Sequence, residues 1–215
     1  MRLVATKQLF VSLATLLLFT NPASADLIQF TSFIDGAQSI AMPSIGDRNG
    51  TGSATLTLDT DTGILAFDIS FEGLIADDIG GLAGAGLLVA HFHVGDRTTN
   101  GPIPVGLFDG SAGLAPGVMG TDMLGATSGR FFGSIDIFGL ADQNGLLRNN
   151  VLAQDFFDAF LTDPGQDANV YINIHSFNNP AGEIRGQVVR VNEVAEPAGL
   201  ALLGLALLGL ARRRA

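Results

Sequence analysis

The chain has 215 residues, with 28 glycines, 15 phenylalanines and no cysteine. The missing cysteines exclude disulfide frameworks, thiolate metal centres and cysteine nucleophiles. Between residues 26 and 195, six arginines and no lysine stand against 20 acidic side chains. This balance excludes nucleic acid and anionic lipid as partners of the domain surface and leaves divalent cations, basic partners or plain solubility as its meaning.

Residues 1–25 read as a signal peptide. Arg2 and Lys7 form a positive leader, Leu9 to Phe19 is a short apolar run, and Ala23-Ser24-Ala25 is a small-residue cleavage site. Leu27 to Ile34 is the first expected strand, and Asp35-Gly36 turns the chain. Gly52–Leu58 and Ile64–Phe71 alternate apolar and polar residues around Asp59-Thr-Asp-Thr-Gly63 and predict a β-hairpin. Asp59 and Asp61 have the spacing of two calcium-loop ligands, but the remaining ligands are absent, and a turn accounts for every residue.

The Gly-rich stretch 72–86 reads as a connection. Leu87–Val94 and Pro102–Leu107 are strands, residues 110–130 are loop, and Arg130–Phe138 is a further strand. Val151 to about Leu161 is the expected helix, capped by Asn149 or Asn150, with Leu152, Phe156, Phe160 and Leu161 as its apolar stripe. Two strands close the domain within NVYINIHSFNNPAGEIRGQVV (Asn169 to Val189). The total for a domain spanning 26–192 is seven or eight strands and one short helix, for which an immunoglobulin-like Greek-key β-sandwich or barrel is the expected architecture.

Residues 193–215 form a separate tail. Glu196-Pro197 precedes an uncharged Ala/Leu/Gly run over 198–211, and Arg212, Arg213 and Arg214 follow. As a helix the run would reach about 21 Å, a marginal membrane span whose arginines should stay cytoplasmic. The tail resembles a PEP-CTERM sorting signal, with Ala195 in place of the motif's first proline. That resemblance implies an exosortase-type membrane protease as partner, a membrane contact through 198–211 that is at least transient, and a Gram-negative bacterium that makes extracellular polysaccharide.

All three histidines lie in strands. His91 and His93, two apart, project from one face about 6.6 Å apart along the strand. His175 lies on the polar face of its own strand. If the two strands meet, the three imidazoles converge into a set that Zn²⁺ or Cu²⁺ accepts, completed by water or by Asp68, Asp96 or Glu183. The competing reading is a polar seam in which the histidines bond to Asn173, Glu183 or backbone. Glu183 and Arg185 read as a structural polar pair, ion-paired across or along the sheet. No serine elbow, phosphate-binding loop or zinc-protease helix motif is present, so no catalytic residue is assigned.

Three stretches, GTGSATLTLDTDTGILAFDISFEGL, AHFHVG…NGPIPVGLFD and NVYINIHSFNNPAGEIRGQV, together resemble the CHRD (chordin-type) domain over about residues 30–190. The resemblance implies an immunoglobulin-like barrel in a secreted protein. A more distant similarity to copper/zinc superoxide dismutase rests on the His-x-His strand followed by a Gly- and Asn-rich loop on a β-sandwich, without that enzyme's further ligands, disulfide or buried arginine. The expected function is a non-enzymatic structural or binding role at the cell surface or in the extracellular matrix, with exopolysaccharide or envelope proteins as partners. The alternative is a Cu- or Zn-binding β-sandwich using His91, His93 and His175.

Overall fold

The stretches with a period of two become strands with one wet and one dry side in the computed structural model, which describes residues 26–40, 48–75, 86–121 and 125–191. β1 (Leu27–Asp35) buries Ile28, Phe30 and Ile34 and leaves Leu27 and Phe33 exposed. β2 (Thr51–Asp59) and β3 (Ile64–Glu72) bury Ala54, Leu56, Leu58, Leu65, Phe67, Ile69 and Phe71, the inward set that alternation predicts. The hairpin between them turns at Asp59, whose carboxylate accepts the amides of Asp61 and Thr62. Those bonds give the aspartate its turn role.

The remaining strands are β4 (Leu87–Val94), β5 (Val105–Asp109), β6 (Gly113–Leu114), β7 (Val118–Gly120), β8 (Gly129–Asp136), β9 (Asp167–Ser176) and β10 (Ile184–Arg190). All ten pair antiparallel in one sheet, ordered β6-β5-β4-β9-β10-β1-β2-β3-β8-β7. The order begins at β6 and ends at β7, which only residues 115–117 separate in the chain. The sheet therefore curls until its two ends meet, giving a nearly closed barrel with little exposed edge. The architecture is all-β as expected, with ten strands in place of seven or eight. The two additional ones, β6 and β7, fall in the stretch read as loop. Their glycines at positive φ, Gly113, Gly117 and Gly120, hide short strands from a periodicity reading.

Phenylalanine fills the barrel. Phe71 stacks on Phe131 at 5.4 Å, and Phe67 meets Phe92 edge-on at 6.0 Å. One end is plugged by α1 (Ala153–Asp158). Phe156 and the following Phe160 are fully buried there and contact each other at 5.3 Å, and Phe160 contacts Phe30 at 5.4 Å. Each such ring removes roughly 150–250 Å² from water and carries much of the core's stabilisation.

The helix is shorter than expected, and its start differs. Asn149 and Asn150 adopt left-handed backbone in a 3-10 turn at Arg148–Asn150, and Leu152 takes the N-cap position without a side-chain cap bond. Left-handed residues cannot join a right-handed helix, so these asparagines form a turn. The buried stripe is Ala153, Phe156, Phe157 and Phe160, while Leu152 and Leu161 are exposed. The strand expected from Pro102 begins at Val105. The leader at 1–25 and the tail at 193–215, with Glu196, Pro197 and Arg212 to Arg214, lie outside the described residues. So does most of the Gly-rich stretch 72–86. Among the described residues no helix is long and apolar enough to cross a membrane.

Candidate metal site

Strand pairing brings the histidines together. β4 and β9 are neighbours, with His91 opposite Asn173, His93 opposite Tyr171 and Val89 opposite His175. His175 is thus diagonal to His91, within side-chain reach on the same face. The His91 ring lies 4.5 Å from both the His93 and His175 rings, centroid to centroid. One ring nitrogen from each of the three lies within 4.8 Å of the others.

This face points away from the phenylalanine core, yet each histidine is only 7 % exposed. Two loops fold back over it. The loop after β4 supplies the Gly101 carbonyl, which meets His93 Nδ1 at 2.7 Å. The turn after β9 supplies the Pro180 carbonyl, which meets His175 Nδ1 at 2.8 Å. A ring nitrogen facing a carbonyl must carry the proton, so Nε2 of both rings is the lone-pair atom. Those two Nε2 atoms are buried without a hydrogen-bond partner among the described residues, and so is Nδ1 of His91. One unpartnered nitrogen per imidazole is costly as a plain polar seam.

The electrostatics keep the rings neutral. Burial, then the neighbouring His175 and His93 and the Arg148 guanidinium, pushes His91 down to about 2. Burial also lowers His93, to about 4, against the opposing pull of its bond to Gly101. His175 is lowered by burial as well. Neutral imidazoles with fixed tautomers are the form that binds Zn²⁺ or Cu²⁺, and backbone carbonyls on the far nitrogens are the usual means of orienting them.

The three carboxylates considered as further ligands are placed elsewhere. Asp68 pairs with Arg130. Asp96 holds Thr98 and Thr99 in the loop after β4. Glu183 accepts the Ile75 amide at 3.0 Å. Among the described residues the candidate ligand set is all imidazole.

The expected Glu183–Arg185 ion pair does not form among the described residues, where Arg97 pairs with Asp167 and Arg130 with Asp68. Glu183 sits in the turn before β10, and its carboxylate ties Ile75 to that turn. Arg185, inside β10, reaches the opposite way. Its guanidinium lies 3.5 Å from the centre of the Tyr171 ring and donates to the Thr99 and Asp96 carbonyls. Both side chains are wired to loops and not to each other.

Two further residues contribute, Tyr171 from the polar face that alternation predicts and Arg148 from outside the sequence-predicted set. Tyr171 lies between His93 and Arg185, and its hydroxyl accepts the Gly101 amide at 3.1 Å. Arg148 lies in a turn read as helix cap, and its guanidinium reaches the His91 end of the cluster. Alternation alone puts Tyr171 on the face of His175, but its stacking role and the whole of Arg148's placement depend on a long-range register.

The family model of the CHRD domain matches residues 30–188. No curated protein and no solved structure matches the chain.

Proposed function

We propose, for a chain that belongs to the CHRD domain family, that this barrel binds one Zn²⁺ or Cu²⁺ ion through His91, His93 and His175. A single observation carries the reading: each of the three imidazoles keeps one buried ring nitrogen without a partner among the described residues, and one ring nitrogen from each lies within 4.8 Å of the others. Metal–nitrogen bonds of about 2.0–2.1 Å draw such nitrogens together, and binding would give each of the three unpartnered nitrogens a bond. The family match extends over both histidine strands and supports treating them as one unit.

The domain is proposed to work outside the cytoplasm. The leader at 1–25 and the tail with Glu196-Pro197, the 198–211 run and the terminal arginines support export and handling by an exosortase-type membrane protease. The role there is binding within the cell envelope or exopolysaccharide, with the metal site as its chemically defined part. An immunoglobulin-like relationship of the barrel belongs to the same proposal.

The test is metal analysis of the purified domain after exposure to Zn²⁺ or Cu²⁺ and removal of excess. One equivalent bound by the wild type and lost in the His91→Ala, His93→Ala double variant is the expected result. A folded wild type that takes up no metal rejects the site and leaves the structural reading of the envelope protein.

A further inference from the structure

Beside His91 the sheet has a gap that a second group fills. β4 and β5 pair with a bulge after Ala90, so Gly106 and not Leu107 lies opposite His91. Paired residues of antiparallel strands share a face. A Cβ on Gly106 would stand 2.6 Å from Nη1 of Arg148. The guanidinium therefore occupies the space that any other residue at 106 would fill, on the face that carries the imidazoles. Arg148 is held there through its backbone, whose amide donates to the Pro104 carbonyl at 3.2 Å.

The charge around this arginine is unbalanced towards the cluster. Arg148 takes no part in the Arg97–Asp167 or Arg130–Asp68 ion pair. Asp109 feels its charge, but that carboxylate is engaged by the Ser111 amide and hydroxyl at 2.9 and 2.6 Å. On the other side are three imidazoles, with no carboxylate in the set. A divalent ion held there keeps its full charge, and three protein ligands leave a tetrahedral ion one position for an outside group. Arg148 also lines a groove of about 720 Å³ between the β5–β6 edge and the 140–148 segment, with Leu114, Leu140, Leu146 and Asp142. That volume admits a small molecule.

We infer that the site takes a small anion, bound to the histidine-held metal through one atom and to the Arg148 guanidinium through another. This rests on the proposed metal site and adds the class of its outside ligand. A metal with only neutral protein ligands attracts an anion, and a planar guanidinium beside it supplies directed donors.

The test uses azide as the anion and the copper-loaded protein. Azide should produce a ligand-to-copper charge-transfer band that saturates, and a changed electron paramagnetic resonance spectrum. Arg148→Gln should bind the same one equivalent of copper but weaken azide about tenfold, with Arg148→Lys recovering part of the loss. Gly106→Ala, which displaces the guanidinium and keeps its charge, should weaken azide as well. A copper-loaded wild type that ignores azide overturns the inference, and so does an Arg148→Gln variant with wild-type azide affinity; in both cases the metal site stands. Failure to bind copper at all overturns the metal site and the anion with it.

Discussion

The ring of His93 lies flat against the ring of Tyr171, centroids 4.4 Å apart and planes 7° from parallel. On its other side Tyr171 carries the Arg185 guanidinium at 3.5 Å. The three side chains form a stack across β4, β9 and β10, and the loop after β4 is bonded to every member. Gly101 receives His93 and donates to Tyr171, and Thr99 and Asp96 receive Arg185. One stack thus fixes the orientation of a candidate ligand and the loop that covers it.

Replacing Tyr171 separates these contributions. Tyr171→Phe keeps the stack and loses one hydrogen bond, so the domain should lose about 0.5–1.5 kcal/mol. Tyr171→Ala removes a fully buried ring and should cost about 3–5 kcal/mol. It should also lower metal affinity more than Tyr171→Phe, because His93 loses its support. Urea denaturation of the metal-free variants and a competition assay with a chelator measure both effects. Equal metal affinity in the two variants would show that the stack does not position His93.

The buried histidines predict how the metal-free protein responds to acid. Their folded-state values lie below the ordinary 6.5, with His91 near 2 and His93 near 4. Between those values and 6.5 the unfolded chain binds more protons than the folded one. Stability is therefore full above about pH 6.5 and falls as the pH drops toward 4, by about 1.4 kcal/mol per pH unit for each proton taken up. Denaturation midpoints at pH 7 and pH 5 should differ accordingly. His91→Phe should flatten the dependence, and an unchanged slope in that variant would remove His91 as its source.

Much of the barrel could be read from the chain, because alternation in β1, β2 and β3 is a local property that a half-buried strand imposes. β6 and β7 could not, since two or three residues among glycines have no period. The site was legible in part. His91 and His93 share a face by spacing alone, and convergence with His175 needed only that β4 and β9 meet. Arg148 and Tyr171 gain their roles from register: a bulge after Ala90 sets Gly106 beneath Arg148, and the β4–β9 pairing sets Tyr171 beneath His93. The Glu183–Arg185 pairing failed because nearness in sequence could not reveal that separate loops fold back to meet each side chain.

Glu183 should behave in the opposite sense to the histidines. Burial raises its value above 4.5, against bonds from Ser176, Ile75, Asn179 and Gly50 that favour the charge. A carboxyl that ionises less readily when folded costs stability as the pH rises through its ordinary value towards its raised one. Glu183→Gln keeps the shape and removes the charge, so at pH 7 it should leave stability within about 1 kcal/mol of wild type or raise it. Glu183→Ala empties the position and should cost about 1–3 kcal/mol through unpaired donors. Thermal unfolding of both variants at pH 7 distinguishes them, and a Gln variant as damaged as the Ala variant would mean that the charge itself holds the turn.

Gly101 is the tightest point in the loop over the cluster. A Cβ there would lie 1.6 Å from the Val94 carbonyl oxygen, a backbone atom that cannot rotate away. The same glycine presents the carbonyl that fixes the His93 tautomer. Gly101→Ala must therefore shift the loop, break the Val94–Pro102 backbone bond at 3.1 Å, or both. The expected cost is about 1–3 kcal/mol, the range of a strained backbone or a lost buried bond. His93 should then lose its fixed orientation, and metal affinity should fall about 10- to 100-fold, as when an outer-shell partner is removed. Gly106→Ala provides the contrast: it meets only the end of a flexible arginine and should leave metal affinity unchanged. Isothermal titration with Zn²⁺ across wild type and the two variants measures this, and a Gly101→Ala protein that binds as tightly as wild type would show that the Gly101 carbonyl does not orient His93.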